Sequence, residues 1–227
     1  MPLPMVHLTV AVTMLADLNF PRVPEFLLGN LAPDAIHMRE GWTPDDKRRT
    51  HLFLSSGDLS TGADGAVLAL LASWNDRVTG IEPLHLGYAV HLLTDLRWRE
   101  QIWLPLKGRL PGDLGYQEER ALYYRETDEV DRLLFESAPW RPEVWRLLAT
   151  ARQADVPGMV SAQEIDLWRQ RTLHWFEQLA PASEPLAYLS LELVQDFARD
   201  TGRQVAYWLA EHGHRRVNDA LTGGLAL

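Results

Sequence analysis

The sequence predicts an all-α protein, a multi-helix bundle built as one domain of 227 residues. Three observations carry that prediction. Segments between Pro and Gly breaks place apolar residues at helical spacing. No alternating strand pattern runs longer than a few residues. Several segments carry few charges on any face, as expected where helices bury one another. With 46% hydrophobic residues, the chain can fill one large core.

Taken in order, Met5 to Leu18 reads as a largely buried helix, with Leu8, Val12 and Leu15 on its inner face and His7 in its first turn. Pro21 and Pro24 break the chain, and Glu25 to Leu31 forms a short helix. Ala32-Pro33-Asp34 reads as a turn, because proline disfavours a helical conformation in the residue before it. Residues 39–50 are charged and look like an exposed loop, as does Ser55 to Gly65. Asp64 is placed to cap a helix over Ala66 to Arg77. A buried helix follows from Pro83 to about Leu104, then a Pro- and Gly-rich loop to Gly115. Tyr116 to Glu136 and Arg141 to Ala154 are the next two helices. Ser161 with Glu164 forms a capping box that opens a helix through Leu179. Pro185 suits the first position of a last long helix to about Glu211, with a break at Gly202. Residues 213–227 read as a frayed tail. This gives about eight helices, with no repeat and no low-complexity segment.

Composition narrows the function. Net charge is −9, from 22 Lys and Arg against 31 Asp and Glu. That balance argues against tracking along nucleic acid and against adhesion to an anionic membrane. The absence of cysteine excludes disulfides, thiolate metal sites and a Cys nucleophile. Any bound metal sits on His, Asp or Glu, a donor set suited to zinc, manganese or iron. No signal peptide and no membrane span are legible, so a cytoplasmic protein is expected.

The stretch Gly87-Tyr88-Ala89-Val90-His91-Leu92-Leu93-Thr94-Asp95 concentrates the chemistry. His91 and Asp95 stand one turn apart on one face of a buried helix. A buried carboxylate needs pairing, hydrogen bonds or a metal. The pair can clamp a cation, or it can be a His–Asp hydrogen bond that ties the helix down. His7, Asp34 and His51 are further metal-competent residues in ordered or apolar settings. His37 reads as a surface or loop-packing residue, with a role as ligand or ligand support the alternative. His85 reads as a helix-start residue, His174 as a packed core or interfacial histidine, and His212 and His214 as cations at a helix end. Trp98 is expected in the core, with the lining of a substrate cleft as its alternative. At most one of Tyr123 and Tyr124, which face different directions on their helix, can point at the site.

Three strings together resemble the zinc-dependent phospholipase C family, which has relatives among zinc-dependent single-strand nucleases. They are Phe26-Leu27-Leu28-Gly29-Asn30-Leu31-Ala32-Pro33-Asp34, Arg49-Thr50-His51, and Gly87 through Asp95. With His7 they reproduce, in order, an N-terminal His, a Gly…Pro-Asp, a Thr-His and a His-x-x-x-Asp, over roughly residues 5 to 100. The style is that of short, leaderless bacterial members, and Tyr123 to Asp131 is similar to a segment of those members. The resemblance implies a phospholipase C- or nuclease-like helical fold. It implies one ion on Asp34, His51, His91 and Asp95, and a second shared by Asp95 and His7. The family's further His-x-x-x-Glu pair has no counterpart, since no His lies between 91 and 174. One or two ions are therefore expected, zinc first, with Asp128 or Asp131 as an extra carboxylate ligand.

The expected chemistry is hydrolysis of a phosphoester by a metal-activated water, on a small phosphoester substrate. Asp34 is the expected general base. Arg49 is the nearest cation for the phosphate, although Lys47-Arg48-Arg49 also reads as a solvated run. The competing reading is a non-catalytic metal-binding helical domain with a structural or sensory role. An HD-type phosphohydrolase is disfavoured, because the chain has no adjacent His-Asp pair.

Overall fold

The computed structural model describes residues 3–18, 23–52, 62–75, 82–182 and 185–213. Among them it is all-helical, with ten α-helices, no strand and one core. The segments 55–61 and 76–77 and the tail from 214, on which loop, helix-end and fraying expectations fell, lie outside the described residues.

Helix α1 (Pro4–Asp17) is buried along most of its length and packs beside α10 (Leu191–Gly213), α7 (Tyr116–Ser137) and α5 (Pro83–Trp98). Its entry is fixed by Asp131 of α7, whose carboxylate accepts from the amides of Met5 at 3.0 Å and Val6 at 3.3 Å. The N-cap residue Leu3 has no side-chain acceptor for these first-turn amides, although its carbonyl also accepts from Val6 at 3.1 Å. Helix α10 runs without a break through Gly202. A Cβ there would sit 2.8 Å from Cβ of Thr13, so the glycine serves close packing on α1 rather than a kink.

Helix α2 (Pro24–Gly29) crosses α5 at two glycines. A Cβ on Gly29 would meet the Leu84 carbonyl oxygen at 2.1 Å, and one on Gly87 the Phe26 carbonyl oxygen at 2.1 Å. Only glycine allows that approach. Ala32–Met38 is a 3-10 helix rather than a single turn, and it packs on α9 (Ala162–Gln178) and α3 (Pro44–Thr50). Arg39 at its end pairs with Glu164 at 2.7 Å, and Glu164 also closes the α9 capping box on the Ser161 amide at 2.7 Å.

Helix α3 takes residues 44–50 of the loop expected over 39–50, leaving 39–43 non-helical. Thr43 and Asp46 cap it reciprocally, and Pro44 stands in the first turn. Apart from Thr50 it is largely exposed, so it lacks the apolar periodicity that betrays a buried helix. Helix α4 (Gly62–Asn75) starts earlier than expected. Asp64 lies within its first turn and pairs with Arg97 at 2.7 Å.

The long helix expected to Leu104 is three pieces: α5, a π-helical turn at Arg99–Trp103 and α6 (Leu104–Lys107). Helix α8 (Arg141–Thr150) stops short of Ala154, ahead of a bridge between Val156 and Val160. Helix α10 begins at Leu191, not Pro185. The Glu126 carboxylate accepts from the amides of Ala187, Tyr188 and Leu189, which holds that segment outside the helix. No described helix is long and apolar enough to cross a membrane.

Candidate metal centre

Four elements deliver five side chains to one buried spot. Helix α1 supplies His7, the 3-10 helix Asp34, the C-cap of α3 His51, and α5 both His91 and Asp95. All five are at most 8% exposed.

Each imidazole is aimed by its surroundings. The Nδ1 of His91 lies 2.8 Å from the Asn30 backbone carbonyl, which can only accept, so Nδ1 carries the proton and Nε2 turns its lone pair inward. The His51 Nδ1 lies 3.1 Å from the Lys47 carbonyl and 2.9 Å from the Thr50 hydroxyl, contacts that hold the ring with Nε2 turned inward. Its segment is tied to α5 by the Tyr88 hydroxyl, which donates to the Thr50 carbonyl at 2.6 Å. His7 stacks on His91 with centroids 3.7 Å apart and planes 2° from parallel.

The inward atoms cluster. His7 Nε2 is 3.6 Å from Asp95 Oδ1, and His91 Nε2 is 3.6 Å from Asp95 Oδ2. His51 Nε2 is 3.3 Å from Asp34 Oδ1 and 3.8 Å from Asp95 Oδ2. Two groups within 4.8 Å result, His7–His91–Asp95 and Asp34–His51–His91, with His91 in both. Both Asp95 oxygens, both His7 nitrogens and His91 Nε2 are buried without a hydrogen-bond partner among the described residues. A buried carboxylate left so is costly. Two ligand atoms sharing one tetrahedral ion at ordinary zinc distances lie ~3.3 Å apart. The observed separations of 3.3–3.8 Å therefore suit a shared cation better than hydrogen bonds.

The electrostatics agree. Burial and the neighbouring His91 push the His7 ring down to about 3. Burial opposes charge on Asp95, yet His91 and His7 hold its carboxyl below the usual range, and Asp95 in turn raises His91 against the effect of burial. Burial likewise opposes charge on Asp34, but the His51 ring 3.3 Å away and the Lys47 ammonium hold its carboxyl well below the usual range. The centre thus keeps anionic carboxylates beside a neutral His7 ring, while Asp95 favours a proton on His91 that a bound metal would displace.

Other expected residues fall elsewhere. Asp128 joins neither group; it is half-buried on α7, and burial raises its carboxyl. Asp131 is consumed in capping α1. Arg49 points away and pairs with Asp46 at 2.5 Å, with 55% of its side chain exposed. The cation that does reach the centre is Lys47, whose Nζ is 3.6 Å from Asp34 Oδ1 and 2.8 Å from His37 Nε2. Lys47 precedes His51 by four residues, so both share a face of α3. That signal appears only once residues 44–50 are seen as helical.

His85 is buried and stacks on Trp74 at 4.7 Å. His174 is not packed; its side chain is 68% exposed beside Glu177. The side chain of His212, and His214, lie outside the described residues. Trp98 is buried and donates from Nε1 to the Tyr123 hydroxyl at 2.8 Å. Tyr123 is buried and Tyr124 exposed, yet both line the same cleft as Trp98, so the expectation that at most one faces the site does not hold.

Two clefts open onto the cluster. The first, about 260 Å³, is lined by Asp34, His37, Lys47, Asp128, Trp168 and Arg171, among others. The second, about 510 Å³, reaches Asp95 past Lys47, Trp98, Arg99, Trp103 and Tyr124. No protein-family model matches the chain, and no curated protein or solved structure is similar enough to count as a match.

Proposed function

We propose that this protein is a metal-dependent hydrolase that cleaves a phosphoester. The observation that carries the reading is the Asp95 carboxylate, buried without a hydrogen-bond partner among the described residues and faced by three imidazoles at 3.6–3.8 Å. Zinc suits this His/Asp set best, with manganese or iron as alternatives, and the two groups sharing His91 accommodate one or two ions. The order His7, Pro33-Asp34, Thr50-His51, His91-x-x-x-Asp95 adds the resemblance to zinc-dependent phospholipases C.

A divalent ion held by His91 with His7 and Asp95, or with Asp34 and His51, would acidify a water bound to it and polarise a phosphoryl oxygen. Lys47, on the wall of both clefts, places a positive charge where the phosphate enters. Asp34 is held too acidic to be an effective base and is assigned as a ligand. Asp128, across the first cleft and raised by burial, is the carboxyl better matched to moving a proton at the substrate.

A non-catalytic metal domain needs no access. The two clefts ending on Asp34 and Asp95 favour turnover instead. The test is hydrolysis of a phosphoester panel by metal-loaded protein, its loss on chelation and its return with zinc or manganese. Absence of turnover across the panel by fully loaded protein would overturn the hydrolase reading.

A further inference from the structure

The second cleft contrasts with the rest of the molecule. The chain carries 31 acids against 22 bases, yet this cleft is lined by four cations, Lys47, Arg48, Arg99 and Arg120, against Asp95 and Glu119. Both acids are engaged: Asp95 faces the imidazoles, and Glu119 holds Lys107 at 3.0 Å. Arg48 is occupied by Asp45. Arg99 and Arg120 are exposed, and neither pairs with a carboxylate among the described residues.

Two helical arms present these arginines. On the first, Asp95, Arg99 and Trp103 follow at steps of four and all line the cleft. A four-residue step overshoots an α-helical turn of 3.6 residues. It falls short of the wider π turn, in which the Leu104 amide donates to the Arg99 carbonyl five residues back. The two deviations offset, so Trp103 stays in line with Asp95. On the second arm, Arg120 of α7 lies with its guanidinium 5.5 Å from the ring centroid of Tyr124, one turn on, which pre-orients the cation. Each arm thus sets an arginine one turn from an aromatic wall. The volume of about 510 Å³ is that of a small-molecule site.

We propose that Arg99 and Arg120 bind a second anionic group of the substrate, a phosphate or carboxylate carried beyond the scissile phosphoester. The inference rests on the hydrolase reading for calling the ligand a substrate. The preferred class is then a small organic phosphoester with two anionic groups, its carbon skeleton lying against Trp103 and Tyr124.

The test is calorimetric titration of the full, chelated chain with propane-1,3-bisphosphate and with propyl phosphate. The bisphosphate should bind about tenfold more tightly, the gain expected of charge-assisted contacts to guanidinium groups. Arg99→Gln and Arg120→Gln should each remove most of that advantage. Arg146→Gln, exposed on α8 and away from the cleft, should keep it. Equal binding of the two ligands, binding of neither, or an advantage that survives in a folded double variant would overturn the proposal. Because the titration omits metal, failure of turnover or of metal loading leaves its result legible. Conversely, an active metalloenzyme that binds both ligands equally would sink this inference alone.

Discussion

His7 and His91 lie face to face at 3.7 Å, and each turns Nε2 to a different oxygen of Asp95 at 3.6 Å. Two stacked rings in a buried site cannot both carry charge cheaply, and burial with His91 holds His7 down to about 3. In the unfolded chain the same ring titrates near 6.5. Between those values the unfolded state binds the extra proton, so stability falls as pH drops from about 6.5 toward 3, by at most about 1.4 kcal/mol per pH unit from this group. Denaturant unfolding of chelated protein across that range should show the slope, and His7→Leu should flatten it.

The sharing of His91 between the two groups separates the ligands' roles. His7→Ala should reduce binding at the His7–His91–Asp95 group and spare the other. Asp34→Ala should do the reverse, and His91→Ala should weaken both. Equilibrium dialysis with zinc, read as ions per chain against free zinc, distinguishes the three.

Lys47 and Arg49 sit two residues apart with opposite expectations. Lys47→Met removes the charge 3.6 Å from Asp34 and should lower kcat/KM for a phosphoester by about 10- to 100-fold at unchanged metal content. Arg49→Met touches only the exposed pair with Asp46 and should leave kcat/KM within about twofold. Steady-state kinetics beside metal analysis checks both.

Gly87 lets α2 approach α5 and so holds the Asn30 carbonyl 2.8 Å from His91 Nδ1. Gly87→Ala should destabilise the fold by about 1–3 kcal/mol through overpacking. It should also weaken metal binding, because the His91 ring loses the acceptor that fixes its tautomer. Thermal unfolding and zinc affinity measured on the same preparation test the coupling.

How far the sequence is legible follows from where each signal resides. The buried helix α1 announces itself through periodicity, and α9 through its Ser161–Glu164 box. His91 and Asp95 are readable as a pair because four residues make one helical turn. Helix α3 is not legible because exposure removes periodicity, which also hides that Lys47 shares a helix face with His51. The late start of α10 depends on Glu126, sixty-one residues before Ala187, a contact no local pattern encodes. The π turn at Arg99–Trp103 leaves no mark in the apolar pattern either, yet it aligns Trp103 with Asp95.

Metal content per chain, measured by mass spectrometry on the purified protein beside His91→Ala and Asp95→Ala, tests the central claim most directly. The account expects one or two zinc, manganese or iron ions in the wild type and loss of metal in both variants while they stay folded. A wild type without metal even after reloading, or folded variants that retain it, would contradict it and leave His91 and Asp95 a structural pair.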